Sequence, residues 1–232
     1  MLCLGVIPAR GGSKGIPGKS LVDLAGRPLI AYTLEAARRS AALERFIVST
    51  DDPLVAAFAR EQGVEVPFAR PAGLATDDTP MQPVVMHAMA EMDRLGFQAE
   101  AVMVLQPTSP LRRAEHIDAA VELMLSTGAD TIVSVVEVPH AYNPVSLMIE
   151  EPGGGLAPYS PGEMVLRRQH KPRVYARNGP AILLIRRAVI EAGQLYGSYI
   201  RPLLMDLRDS IDIDRPDDLL QAAFWLGQRG GQ

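Results

Sequence analysis

"LCLGVIPARGGSKGIPGKS" (residues 2–20) begins as an unbroken apolar run to Pro8 and closes on Gly-Lys-Ser. A short apolar run without polar alternation is what a strand buried on both faces requires. The tail invites comparison with the triphosphate loop G-x-x-x-x-G-K-[ST]. Counting back from Gly18 puts Ser13 where that loop has its first glycine. Pro17 removes an amide where the loop needs one, and Gly26 and Pro28 interrupt any long helix starting at Lys19. The dinucleotide fingerprint G-x-G-x-x-G is missing as well. What remains is a glycine-rich turn after the first strand, carrying Arg10, Lys14 and Lys19. Gly11, Gly12 and Gly15 allow close backbone approach to a ligand, and three cations within ten residues suit a polyphosphate. The competing reading is a solvated basic loop.

Outward from this loop, strand alternates with helix. Helical spacing is expected over 27–40, 52–63, 79–96 and 113–128, and strands over 45–50, 64–68, 100–107 and 130–138. Alternation at crossover spacing predicts an α/β fold, a doubly wound and mostly parallel sheet with helices on both faces. Ligands bind such sheets at the carboxyl ends of the strands. The loops 9–20, 50–52, 69–79 and 106–112 should therefore open onto one edge. The rhythm breaks over 139–177, a proline-rich stretch with a Gly153–Gly155 triplet. It predicts a β-hairpin or ribbon leaving the core, apolar enough to pack on a second subunit. Strands resume at 181–187 and 200–207, and "DSIDIDRPDDLLQAAFWLGQRG" predicts a last strand and a C-terminal helix. One domain over 1–232 is expected, with 139–172 as a dimerisation excursion.

The totals bound the partners. A chain of 232 residues with formal net charge −4 has no general basic surface for nucleic acid or membrane. Its one cysteine, Cys3, excludes an internal disulfide and fits a reducing, cytoplasmic setting. The N-terminus lacks a basic segment ahead of its apolar run, and no stretch is long enough to span a bilayer. Cys3 and His87 read as packed residues, Trp225 as core or interface. The histidines, His87, His116, His140 and His170, show no metal-ligand spacing.

Asp212 and Asp214 are one residue apart in a strand-like run, so period two puts both carboxylates on one face. Paired carboxylates near phosphates suit Mg²⁺. The plainer reading is that Asp214 caps the last helix, with Pro216 in its first turn and Asp217 and Asp218 facing the dipole.

Taken in order, "PARGGSKGIPGK", "VSTDD" (48–52), "RPAGLATDDTP" (70–80), "LQPTSPLR" (105–112), "RNG" (177–179) and "DSIDIDRPDDL" (209–219) resemble the acylneuraminate cytidylyltransferase family over nearly the whole chain. The resemblance implies a Rossmann-like nucleotidyltransferase fold. It implies a reaction in which CTP and an acidic nine-carbon sugar give a CMP-sugar and diphosphate, with Mg²⁺ on Asp212 and Asp214. Arg10, Lys14, Lys19, Asp212 and Asp214 would be the catalytic set. Ala9, Arg10, Gly11, Gly12, Ser13, Lys14, Lys19, Ser20 and Arg70 would meet the nucleotide. Gln106, Thr108, Ser109, Arg168, Arg177 and Asn178 would meet the sugar, arginine being suited to its carboxylate. Thr108 and Ser109 could instead form the turn, and Arg112 could be a surface residue at a helix start.

The chain departs from the family pattern at several points. Ser20 stands where the family has Asn, and Met81 where some relatives have Ser. Ser146 stands where some have Lys, and Ala176 where the family has an arginine, with Arg177 beside it. GTP use, legionaminate, Kdn or Kdo as acceptor, and a non-catalytic nucleotide-binding module stay open as alternatives, and a homodimer is expected. A phosphate-loop kinase or ATPase is disfavoured by the register count.

Overall fold

The computed structural model describes residues 1–12, 15–160, 167–179 and 181–229. The apolar run forms β1 (Cys3–Pro8), all but its last residue buried. Two short strands, β2 (Asp23–Leu24) and β3 (Arg27–Pro28), pair antiparallel before α1 (Leu29–Arg39). There follow β4 (Arg45–Ser49), α2 (Pro53–Glu61), α3 (Met81–Arg94), β5 (Ala101–Val104), α4 (Ala114–Thr127) and β6 (Thr131–Glu137). A hairpin, β7 (Met148–Glu150) with β8 (Leu156–Pro158), interrupts the alternation. The chain returns through β9 (Tyr175–Arg177), β10 (Leu183–Arg186), α5 (Arg187–Glu191), β11 (Ile200–Leu204) and α6 (Pro216–Arg229).

The main sheet runs in the order β11-β6-β10-β5-β1-β4. β1 lies parallel between β4 and β5, and β11 is parallel to β6. β10 inserts antiparallel between β5 and β6, and β9 pairs antiparallel with the far end of β6. One face is covered by α1, α2 and α4 through Leu34, Val55, Ile117 and Met124, the other by α3 and α5 through Val85, Met89 and Ile190. That is the expected double winding. Burial on both faces explains why these strands read as continuous apolar runs.

Two expected strands are not present as such. The 64–68 segment makes one parallel bridge, Glu65 with Ile47, and no full strand. Pro67 within it has no amide to extend the ladder. The 209–215 segment is a 3₁₀ turn, Leu207–Ser210, followed by extended chain without a strand partner. The Ile213 amide donates to Thr108 O at 2.8 Å and the Ile213 carbonyl accepts from Lys19 Nζ at 2.7 Å. Its backbone groups are thus committed to loops rather than to a ladder.

A third apolar cluster sets the position of the ligand edge. Ile16, Leu24, Leu29, Leu111, Ile213 and Ala222 are buried together, with Trp225 and Leu226 against them. The loop after β1, the loop after β5 and the segment leading into α6 are therefore joined by one small core. Cys3 is fully buried, and burial pushes its thiol up to about 12. Among the described residues no helix is long and apolar enough to cross a membrane.

Candidate nucleotide site

The carboxyl ends of β1 and β5, the 70–84 segment and residues 212–214 enclose a cavity of about 290 Å³. Arg10, Gly12, Lys19 and Ser20 line it from the first loop, with Ala9 at its root. Arg70, Thr76, Asp77, Thr79 and Met81 line the second side, Gln106 and Thr108 the third, and Asp212 and Asp214 close it. The edge expected from the strand order is the edge that carries the cavity.

The first loop is held by its neighbours. The Gly11 amide donates to Asp51 Oδ1 at 3.1 Å, which gives the 50–52 loop a buttressing role behind the cavity. A Cβ on Gly15 would come within 2.6 Å of the Asp214 carbonyl oxygen, so glycine permits the approach of the two segments. Gly18 turns the chain with φ 59°, and Lys19–Leu21 is a single 3₁₀ turn rather than the head of a long helix. Lys14 and Ser13 lie outside the described residues.

Each described cation has a partner in place. Arg10 pairs with Asp77, a residue that the sequence motifs did not single out. Lys19, with its side chain 15% exposed, donates to Asp214 Oδ1 at 3.1 Å as well as to the Ile213 carbonyl. Arg70 is buried, its guanidinium donating to the Ser49 hydroxyl at 3.2 Å and to the Ser49 carbonyl. Burial pushes its pKa down to about 10, with Asp51 opposing the fall. It remains a cation at neutral pH.

The two aspartates differ. The Asp214 side chain is largely exposed and does not cap α6. The amides of Asp214 and Arg215 donate instead to Asp218 Oδ2, at 2.8 and 2.7 Å. An acid inside the first turn meets the helix dipole as well as the expected capping residue would, and it leaves the Asp214 carboxylate to Lys19. Asp212 is partly buried, and its Oδ1 has no hydrogen-bond partner among the described residues. Burial raises its pKa above the usual carboxylate range, with Thr108 and Lys19 pulling the other way. Among the described residues no group of three or more metal-ligating side chains is assembled, so the pair stands by itself.

The expected sugar residues divide. Gln106 and Thr108 line the cavity, with the Thr108 hydroxyl 3.4 Å from Gln106 Oε1. Ser109 is buried away from it, and its hydroxyl has no partner. Arg112 is neither a surface residue nor a ligand residue. It is buried and donates to Gln106 O, Ala181 O and Thr33 Oγ1, strapping the 106–112 loop to α1 and to the chain just ahead of β10, and burial pushes its pKa down to about 9. Asn178 is buried between Ser134 and Ser210. Arg177 is exposed and donates to the Tyr196 hydroxyl at 2.9 Å. Arg168 is exposed on a 3₁₀ turn of the excursion and does not line this cavity.

A doubly wound sheet with this cavity at its ligand edge defines an α/β nucleotidyltransferase fold. The same fold is found in a solved CMP:2-keto-3-deoxy-manno-octonic acid synthetase complexed with CTP, at TM-score 0.74 and 21% identity, covering 99% of this chain and 100% of that one. A 4-diphosphocytidyl-2C-methyl-D-erythritol synthase from Anaerococcus prevotii also matches, at TM-score 0.68 and 12% identity, over 97% of this chain and 96% of that one.

Residues 4–148 match the cytidylyltransferase family. A CMP-N,N'-diacetyllegionaminic acid synthase of Legionella pneumophila is 36% identical over 225 residues, 94% of this chain and 93% of that protein. An N-acylneuraminate cytidylyltransferase of Escherichia coli is 30% identical over 213 residues, 91% of this chain but 49% of that protein. The chain thus spans about half the length of the curated N-acylneuraminate cytidylyltransferases it matches. This chain belongs to the cytidylyltransferase family.

Proposed function

We propose that this chain joins CTP to a nine-carbon sugar acid of the legionaminic or N-acylneuraminic type, giving the CMP-sugar acid and diphosphate. The observation that carries the proposal is one cavity with Arg10, Lys19 and Arg70 on its walls and the Asp212–Asp214 pair beside Gln106 and Thr108. In the reaction the anomeric hydroxyl oxygen of the acid bonds to the α-phosphorus and its proton is lost to solvent. The bond from that phosphorus to the bridging oxygen of the β-phosphate breaks, and diphosphate leaves. Such a step asks for alignment and charge neutralisation rather than a covalent catalyst.

Arg10 and Lys19 would release Asp77 and Asp214 and take phosphate oxygens, with Lys14 as a third cation of the same loop. Ser20 and the glycines of that loop would lie along the phosphates, and Arg70 would complement the nucleotide's charge from behind. Gln106 and Thr108 would orient the sugar acid. Asp212 and Asp214 fit Mg²⁺, a hard cation that takes one or two carboxylates together with phosphate oxygens, because Asp212 keeps one buried oxygen unbonded. Bound there, Mg²⁺ would neutralise charge on the phosphates.

The choice of acid rests on length as well as identity. The legionaminate-named relative matches this chain over 93% of its own length, so a diacetylated legionaminic acid is the first acceptor to test, and N-acetylneuraminate the second. We also propose a homodimer. Tyr142, Met148, Ile149, Leu156 and Tyr159 of the excursion are exposed apolar side chains on one projecting unit. Arg168, on the same excursion, would then serve the other subunit's sugar carboxylate.

The test is diphosphate release with Mg²⁺, crossing CTP, GTP, UTP and ATP with diacetyllegionaminate, N-acetylneuraminate, Kdn and Kdo. Release with CTP and a nine-carbon acid is expected, and release confined to GTP or to Kdo would overturn the stated base or acid. Light scattering at micromolar concentration should give the mass of a dimer, and a monomer would remove the role given to the excursion.

A further inference from the structure

Arg177 of β9 pairs with Val135 of β6, and Leu183 of β10 pairs with Val133. Between those pairs β6 has one residue, Ser134, where the opposite chain has five in sequence, an insertion in an antiparallel ladder. Such bulges re-aim side chains and recur beside active sites. Ser134 holds both ends of this one. Its amide donates to Ile182 O at 2.9 Å, its hydroxyl accepts from the Ile182 amide at 2.9 Å, and the same hydroxyl donates to Asn178 Oδ1 at 2.5 Å. Asn178 Nδ2 is in turn 2.7 Å from Ser210 Oγ, at the end of the 3₁₀ turn that leads to Asp212.

Gly179 comes next, at φ 90°, a conformation that side chains rarely adopt. A Cβ there would be 2.7 Å from Asp212 Cγ and 2.8 and 2.9 Å from its two oxygens. The carboxylate is thus pressed against bare backbone. The amide donor adjacent in sequence, Asn178 Nδ2, is directed away to Ser210, and Asp212 Oδ1 is buried without a partner. A buried carboxylate oxygen normally finds a donor. Here the local construction withholds one.

We propose that the Asn178–Gly179 bulge positions Asp212, fixing its carboxylate at the cavity wall with one oxygen left unbonded for a divalent cation. This rests on the metal role given to Asp212 in the proposed function. Neither Asn178 nor Gly179 lines the cavity, and both act through Asp212 in this proposal. For Asn178 this positioning role is proposed in place of the sugar contact expected from the sequence.

The experiment measures protein-bound Mn²⁺ by water-proton relaxation, in the full chain with CTP present and no sugar acid, so that no turnover is needed. Gly179→Ala should weaken Mn²⁺ binding about tenfold or more, because the added methyl displaces the carboxylate. In diphosphate release the same variant should need more metal, with much of kcat recovered at high Mn²⁺. Ser210→Ala, which frees Asn178 Nδ2 to quench Asp212, should weaken Mn²⁺ binding about threefold, and it decides the matter if Gly179→Ala fails to fold. Folded variants that bind Mn²⁺ as the wild type does would overturn this inference and leave the metal role of Asp212 standing. A wild-type chain that takes up no Mn²⁺ would remove the metal role itself, and the inference with it.

Discussion

Asp209 and Asp212 lie three residues apart on the segment that enters α6, and the protein treats them in opposite ways. Asp209 is buried, yet Arg113 donates to its Oδ2 at 3.1 Å, Arg229 pairs with its Oδ1, and His116 Nε2 is 3.4 Å away. The protein supplies every partner this carboxylate needs. Asp212 is partly buried, keeps an unbonded oxygen and borders the cavity. An acid with partners inside the fold holds the fold together, and an acid left short of partners costs stability and is retained for what binds beside it. In the proposed function the difference between the two carboxylates separates a structural acid from a metal-binding one.

The largest effect should come from Asp212→Asn. Diphosphate release should fall by about 10³-fold or more, as when a group stabilising the reacting phosphate is removed. Thermal stability should hold or rise, because a carboxylate disfavoured by burial and with one oxygen unbonded gives way to a neutral amide. A variant that is both destabilised and active would erase the contrast with Asp209. Lys19→Met comes next, with kcat/KM down about 10²-fold and the folding midpoint lowered modestly, since the pair with exposed Asp214 adds little but the bond to the Ile213 carbonyl is lost. Steady-state kinetics beside a melting curve would read both.

Asp209→Asn should do the reverse. It leaves Arg113 and Arg229 short of their shared carboxylate and should cost about 2 kcal/mol in denaturant unfolding, with kcat within about threefold of the wild type. The smallest effect is one of pH. Burial, the largest influence, lowers the His116 pKa below 6.5, with Asp209 opposing it. The unfolded chain therefore takes up the proton first. The stability that neutral His116 contributes is complete above about pH 6.5 and is lost as pH falls toward the folded value. Asp212 has the opposite sign, since its raised pKa makes the folded chain the better proton acceptor, and acidification relieves its buried charge. In His116→Gln the decline of melting temperature from pH 7 to pH 5 should be shallower than in the wild type.

Much of this was legible before any coordinates. An apolar run such as β1 can be satisfied only with helices over both faces of its sheet, and the register count at Ser13, together with the amide missing at Pro17, excluded the triphosphate loop. The short 3₁₀ turn at Lys19 bears out that exclusion. Lateral pairing was not legible. The period-two pattern in "SIDID" describes an extended chain equally well with or without a neighbour, and here Thr108 and Lys19 take the Ile213 backbone groups. Direction was hidden as well, since the apolar 181–187 run fits a parallel or an antiparallel place in the sheet and β10 takes the antiparallel one.

Within the site, residue types announced charge but not partners. Asp77 stood in the quoted "RPAGLATDDTP" stretch, yet nothing local shows that it meets Arg10 across the cavity. Arg112 could not be told from a surface arginine, because its three acceptors come from residues 33, 106 and 181. Capping by Asp214 was the simplest expectation for a helix start, and the contact runs the other way: Asp218, inside the first turn, accepts from the Asp214 and Arg215 amides ahead of it.

The most direct test of the account is product formation by the wild-type chain with CTP and diacetyllegionaminate, after the protein has been stripped with EDTA and again after Mg²⁺ is restored. The account predicts no CMP-linked acid without divalent cation and full formation on its return, with Asp212→Asn inactive in both conditions. CMP-linked product formed at the wild-type rate in EDTA would contradict it, because the open oxygen of Asp212 would then have no cation to hold.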